Sequence, residues 1–597
     1  MLEERGRAAG AAGGHRQEVA ENPPVADYPA SYQQVSLGGM AAMSADASRA
    51  LNLTFCCHVR GCLDVERLHQ AFVAVQLRHD ALRSTFRDSA LCQVQSGDCL
   101  DFLFMDPPAD LAEWVLDQQY EPFDLCNGPL CRVRVIKESS DAWILHWTLH
   151  HVAADLWSYT LLLRDLGFAY DQLKGRSNAT ADVQWPTVAP SYGALSRASA
   201  AARDANSTAK DFWRRRLSPR PPSRRLLPLA EESWKQSVKS AKQSDGDEQR
   251  KAKTPSRSFK GSKVDFELSR HLSEKLIKLG EECEASLHAI LLAAWMVLLS
   301  RYAEEDMEDM CIGTPLACRN TLESESCVGY FVTPVCIRAS VRKGTSFRHF
   351  LSQICQETRQ ALQFQDPNAF GEICEELNLD LRDVLQAIFV FQSTPDSFTF
   401  STQLPSFFMG HEGSEVPLGS ELHLESMALG QRYVQFDLAM MMAFCDSGSP
   451  CLIGNLQYCF TSYSRETVLR LQAEYQRLLE RIVAEPSCDV AQIQFVHPED
   501  LRLQSRAISP WQEQHGALPS ESLAELVVQR ARQNPTAFAV VSPEGTFTFG
   551  EVLRRAELLA TCLLEHAQPI YVDNRSRSAS GASRSGSAEF GAVGSVA

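Results

Sequence analysis

The chain has 597 residues, too many for one ordinary core, so several domains are expected. Its hydrophobic content of 44% and charged content of 22% are those of a globular protein, and its net charge of -16 argues against a nucleic-acid partner, which calls for concentrated Lys and Arg. The 19 cysteines are scattered, with no CxxC pair and no His/Cys group at zinc spacing; they read as free thiols and exclude a metalloenzyme.

Residues 1–28 are rich in Gly, Ala, Arg and Glu without apolar periodicity and are expected to be disordered. They lack the apolar stretch of a secretory signal, which places the chain in the cytoplasm, with organelle targeting left open. Leu51–Arg60 (LNLTFCCHVR) reads as a strand that sends Cys56 and Cys57 to opposite faces. Asp64–Arg78 has helical spacing at Leu68, Phe72 and Val75. Residues 132–137 alternate as a half-buried strand, residues 142–149 form a more continuously apolar central strand, and an amphipathic helix follows Asp155.

Residues 231–262 are polar and read as a solvated linker or insertion. Beyond them the expected elements are a strand at 263–268, helices at 270–280 and 285–302, strand–loop–strand over 311–338, a helix at 346–364, strands at 385–392 and 451–460, and a helix at 465–484. The longest apolar run, Ala289–Leu299, is well short of the roughly 20 residues that span a bilayer and reads as a buried helix, not a membrane anchor. The two halves mix strands and helices alike, so two α/β lobes are expected. A further helix at 523–531, a strand at 537–541 and a strand–helix over 546–564 open another domain, and 573–597 is a polar tail.

The chemistry is concentrated in His150–Ser158 (HHVAADLWS), between an apolar strand and a helix. A strand end puts His150 and His151 on different faces, one entering a cleft and the other packing. Asp155 sits where a carboxylate caps a helix N-terminus. A histidine titrating near neutrality suits proton transfer from an attacking amine or hydroxyl.

HHVAADLWS resembles the HHxxxDGxS signature of condensation domains of nonribosomal peptide synthetases. Other segments follow in that family's order: Arg78–Phe86 (RHDALRSTF), Glu121–Val135 (EPFDLCNGPLCRVRV), Asp211–Leu217 (DFWRRRL), Ile312–Arg319 (IGTPLACR) and Gly329–Pro334 (GYFVTP). The resemblance covers about residues 29–498 and implies an α/β fold of two chloramphenicol-acetyltransferase-like lobes forming a V around a central tunnel. It divides the chain into a first lobe (29–225), a crossover with polar insertion (226–262) and a second lobe (263–498). It implies amide formation between a carrier-bound acyl or peptidyl thioester and the amine of a carrier-bound aminoacyl thioester. His151 would deprotonate or position the amine, and Asp155 would hold the loop through an ion pair with Arg319. His150, Trp157 and Ser158 would support the site. No cofactor is bound directly on this reading. Phosphopantetheine arrives on donor and acceptor carrier proteins, since Ser36–Met40 fails the carrier motif GGxS.

Three departures stand out. Leu156 replaces the family's Gly, which points toward polyketide synthase modules as partners; Phe364-Gln365-Asp366 lacks the His of an HQD-type motif; and residues 499–570 resemble only the opening of an adenylation domain, followed by a tail at 571–597. The competing readings are a catalytically inactive carrier-docking scaffold and a CoA-dependent HxxxD acyltransferase. The late DFGWG motif of the latter is missing at Gln435–Leu438.

Overall fold

A computed structural model describes residues 27–566 apart from 176–182, 203–206, 222–257, 304–308, 395–401, 447–449, 495–522, 543–544 and single positions 89, 98 and 140. Of the segment expected to be disordered at 1–28, residues 1–26 lie outside the described ones, while Tyr28 is buried and pairs with Cys92 in a short strand; the tail at 571–597 and nearly all of the polar insertion also lie outside. The chain divides into two compact units, Met1–His497 and Pro498–Ala597.

The first unit holds two six-stranded mixed sheets. In one, Asn52–Arg60 pairs antiparallel with Ala142–His150, which pairs antiparallel with Cys131–Lys137; Asp101–Met105 runs parallel at the edge. The central strand is AWILHWTLH, and all but its first residue are buried, as a strand covered on both faces requires. Helices Val65–Arg78 and Leu156–Gln172 cover one face, with Phe72, Trp147 and Tyr159 in edge-on contact with each other or with Phe55. Cys57 points into this core and Cys56 into a smaller cluster with Val115, Ile136 and Ile144, so the adjacent thiols do face opposite ways.

In the second sheet Thr333–Ser340, Asp309–Leu316, Ala387–Gln392, Leu438–Cys445, Cys451–Cys459 and Gly261–Glu267 lie side by side in that order, with Ala387–Gln392 parallel to both neighbours. Helices Arg270–Cys283, Leu287–Ser300, Phe347–Gln363 and Arg465–Ala484 pack on it. The apolar run 289–299 is fully enclosed by these neighbours, which explains a helix hydrophobic on every side. Among the described residues no single helix is long and apolar enough to cross a membrane.

The lobes are not contiguous in sequence, unlike the division drawn at 225 and 263. The hairpin Glu415–Leu418 and Leu422–Ser426 leaves the second half and completes the first sheet, pairing Leu424 with Val59 and Ser426 with Cys57. In the other direction, helix Ser207–Arg216 buries Phe212 and Trp213 in the second lobe's core. Phe364, where the family carries a His, stacks on Phe212 with ring centroids 4.7 Å apart, so this departure serves packing. The strand Leu438–Cys445 (LAMMMAFC) was not anticipated; its parallel and antiparallel partners supply what its Met-rich composition does not signal.

The second unit contains helix Leu523–Gln533, the antiparallel pair Phe538–Ser542 and Gly545–Thr548, and helix Phe549–His566.

The returning hairpin is seated on helix Leu156–Gln172 by a glycine pair. A Cβ on Gly167 would stand 2.6 Å from the backbone nitrogen of Gly419. Gly167→Ala is therefore expected to cost about 1–3 kcal/mol, read as a lower denaturant midpoint; an unchanged midpoint would mean that the hairpin is not held there.

Candidate active site

The strand Ala142–His150 ends at the first histidine and the chain turns at once. His150 remains in the packing. Its Nδ1 accepts from the Val152 N–H at 3.2 Å, Phe123 lies edge-on to its ring, and burial pushes its pKa down to about 3. His151 leaves the strand with its peptide N–H donated to the Leu51 carbonyl at 2.9 Å. Its Nδ1–H donates to the Ala154 carbonyl at 2.8 Å, which fixes the tautomer and leaves Nε2 with a lone pair and no partner among the described residues. The Tyr330 ring stands edge-on to the imidazole with centroids 4.7 Å apart. Burial holds the His151 pKa below the ordinary histidine value, partly offset by the Ala154 carbonyl and the Asp155 charge.

Asp155 is the N-cap of helix Leu156–Gln172, its Oδ1 accepting from the Ser158 N–H at 2.8 Å. The same carboxylate reaches across to the second lobe. Arg319 Nη2 donates to Oδ1 at 2.9 Å and to Oδ2 at 3.0 Å, and the Phe331 N–H donates to Oδ2 at 3.2 Å. Both side chains of the ion pair are 1% exposed. The Arg319 Nη1 donates to the carbonyls of Ser324 and Cys327, and its guanidinium lies 4.2 Å from the Phe331 ring centroid. Ser158 Oγ donates to the Gly329 carbonyl at 2.8 Å and accepts from the Gly329 N–H at 3.1 Å. Gly329 itself is required by packing, since a Cβ there would fall 2.0 Å from the Tyr192 ring. The expected ion pair between Asp155 and Arg319 is thus present, inside a wider network that joins the lobes.

Trp157 donates its indole N–H to the Glu325 carbonyl at 2.9 Å and, with Arg164, Phe168 and Pro417, lines a cavity of about 550 Å³. Tyr330 lines a second cavity of about 170 Å³ with residues of helix Tyr32–Met43. Leu156, the replacement for Gly, is the first helical residue and is only half-buried. Sequence reasoning quoted GYFVTP as a motif but gave no role to Gly329, Tyr330 or Phe331. Two of the three act on the site through the main chain, which leaves no trace in side-chain identity.

Two mixed-sheet lobes thus meet at a histidine-bearing turn. A family model for the condensation domain matches residues 27–503, and the chain belongs to that family, whose reaction is amide-bond formation between carrier-bound substrates. Malpinin synthetase of Mortierella alpina is 26% identical over 90% of this chain, which spans only 6% of that protein. Among solved structures, a four-domain nonribosomal peptide synthetase bound to AMP and glycine superposes with a TM-score of 0.65 at 20% identity, covering 93% of this chain and 40% of the other. The condensation domain of the monacolin K polyketide synthase gives 0.62 at 16% identity, covering 78% of this chain and 99% of the other.

Removing Arg319 would leave Asp155 charged, buried and unpaired. Arg319→Met is expected to lower stability by about 3–5 kcal/mol. Combined with Asp155→Asn it should cost less than the two single losses added, as a double-mutant cycle of denaturation midpoints would show.

Proposed function

We propose that this chain joins a donor acyl or peptidyl thioester to the amine of an acceptor aminoacyl thioester, each delivered on the phosphopantetheine arm of a partner carrier protein. The observation that carries this reading is the fixed tautomer of His151. With Nδ1–H committed to the Ala154 carbonyl, Nε2 is the ring's one proton acceptor and faces no protein partner among the described residues. It takes a proton from the acceptor amine as the new C–N bond forms at the donor carbonyl. It returns that proton to the pantetheine sulfur as the C–S bond breaks. The acceptor carrier leaves with the lengthened chain.

The remaining residues hold this geometry. Asp155 and Arg319 tie the His151 turn to the opposite lobe, and Ser158 and Trp157 fasten the same seam to Gly329 and Glu325. Much of the rate arises from bringing two tethered groups together. Exclusion of water protects the thioesters from hydrolysis. Within residues 499–570 we read a resemblance to the opening of an adenylation domain, and we place the chain in the cytoplasm. The intact seam around His151 favours an enzyme over an inactive scaffold.

Incubating the full chain with acyl-loaded and aminoacyl-loaded carriers is expected to yield amide, and His151→Ala to lower the rate about 10²-fold or more. Carrier binding without amide from the wild type would support the scaffold instead, and equal turnover with a free CoA thioester would support the CoA-dependent reading.

The pH dependence has a definite sign. A histidine whose pKa is depressed in the fold stays neutral below its ordinary value of about 6.5. The acid limb of the single-turnover rate should therefore fall below that value and be absent from the residual rate of His151→Ala. An acid limb above it would contradict the assignment.

A further inference from the structure

Strands Leu438–Cys445 and Cys451–Cys459 of the second sheet bring two cysteines together where they meet. Cys445 and Cys451 stand directly opposite each other in the antiparallel ladder. Opposite residues in such a ladder have Cα atoms about 4.5–5.5 Å apart, within the range of about 4.4–6.8 Å that a disulfide bridges. Both are free thiols, and they share a small apolar cluster with Ala443 and Ile453. Cys445 also has a basic neighbour. Its Sγ lies 3.7 Å from Nδ1 of His411, in the turn between helix Leu404–Phe408 and the returning hairpin. Ser414 Oγ is 3.5 Å from the same Nδ1, and Glu267 Oε2 is 3.8 Å from Nε2 on the far side of the ring. Thiol, imidazole and carboxylate thus stand in the order that activates a nucleophile. The hydrogen bond with Cys445, helped by the Glu267 charge, holds His411 above its ordinary pKa despite its burial. Burial, then Glu267 and Cys445, push the Cys451 thiol up to about 12. The two thiols are therefore unlike: one faces a group that takes its proton, and the other keeps its own.

We infer that Cys445 and Cys451 form a reversible redox pair, in which hydrogen peroxide oxidises Cys445, His411 carries the proton and Cys451 closes the disulfide. His411 takes the Cys445 proton, and the sulfur attacks one peroxide oxygen as the O–O bond breaks. The other oxygen leaves as water with the proton from His411. Cys451 Sγ then attacks the sulfenic sulfur; the S–S bond forms, the S–O bond breaks, and the hydroxyl leaves as water with the Cys451 proton. The two thiols give up two electrons, and one peroxide becomes two waters. Cys445 and Cys451 are 1% and 5% exposed, which suits an oxidant as small as peroxide. His411 borders the pair on its more open side, with its side chain 28% exposed. A small dithiol reverses the reaction by thiol–disulfide exchange.

The full chain is treated with hydrogen peroxide, its remaining thiols are alkylated, and its peptides are mapped by mass spectrometry. A Cys445–Cys451 disulfide is expected before the other buried cysteines are oxidised, and dithiothreitol should restore both thiols. In Cys451→Ser, Cys445 should accumulate as a sulfenic acid that dimedone traps. In His411→Ala, disulfide formation should slow about 10-fold, with less of the attacking thiolate available. The wild-type map depends on no variant: both thiols still alkylated at a dose that oxidises other cysteines, or either one linked elsewhere, overturns the pair. An unchanged rate in His411→Ala of native circular dichroism overturns the part given to His411. Dimedone on Cys451 instead of Cys445, when the other is replaced by serine, overturns the order of attack.

Discussion

A single buried ion pair governs the geometry of this molecule. Asp155 belongs to the turn that carries His151, and Arg319 belongs to the opposite lobe; each side chain is 1% exposed. Two charges out of water are tolerable only when the remaining lone pairs and N–H groups are also met. Here Ser158, Gly329, Ser324, Cys327 and the Phe331 N–H supply most of those partners. The Arg319 Nε stays without one among the described residues. The orientation of the lobes at this seam and the position of the imidazole are thus the same structural fact. A shift that opened the seam would move His151 with it.

The two histidines show how a neighbouring pair is separated by environment. They share a sequence dipeptide, but the strand ends between them. His150 is enclosed, with Nδ1 already accepting from the backbone, and is held neutral by burial. His151 gives Nδ1–H to a carbonyl three residues on and retains Nε2 for other use. The tautomers of the two rings are opposite because the nearest backbone groups are opposite, a donor in one case and an acceptor in the other. What distinguishes the second ring from the first is the direction of one hydrogen bond.

Much of this was legible in the sequence where local pattern and burial coincide. The run AWILHWTLH ended where its apolar character ended, and the capping carboxylate at Asp155 announced the next helix. Arg319 was reachable only through the family resemblance, since nothing in IGTPLACR by itself indicates a partner 164 residues earlier. The hydrogen bonds made by Gly329 and Phe331 were invisible because they come from peptide groups. The placement of DFWRRRL in the second core and of residues 415–426 in the first sheet was invisible for another reason. Periodicity tells a segment which face to bury, not which of two cores will receive it.

The returning hairpin has a consequence for how the chain is made. Its inner strand pairs with Asn52–Arg60, so the first lobe's sheet has an open edge from the time residue 60 leaves the ribosome until Ser426 follows it. During that interval the unpaired N–H and C=O groups can pair with another strand. The cell must therefore bridge a long stretch of translation before the first lobe is complete, and cutting the gene between the lobes would yield neither half as a closed fold.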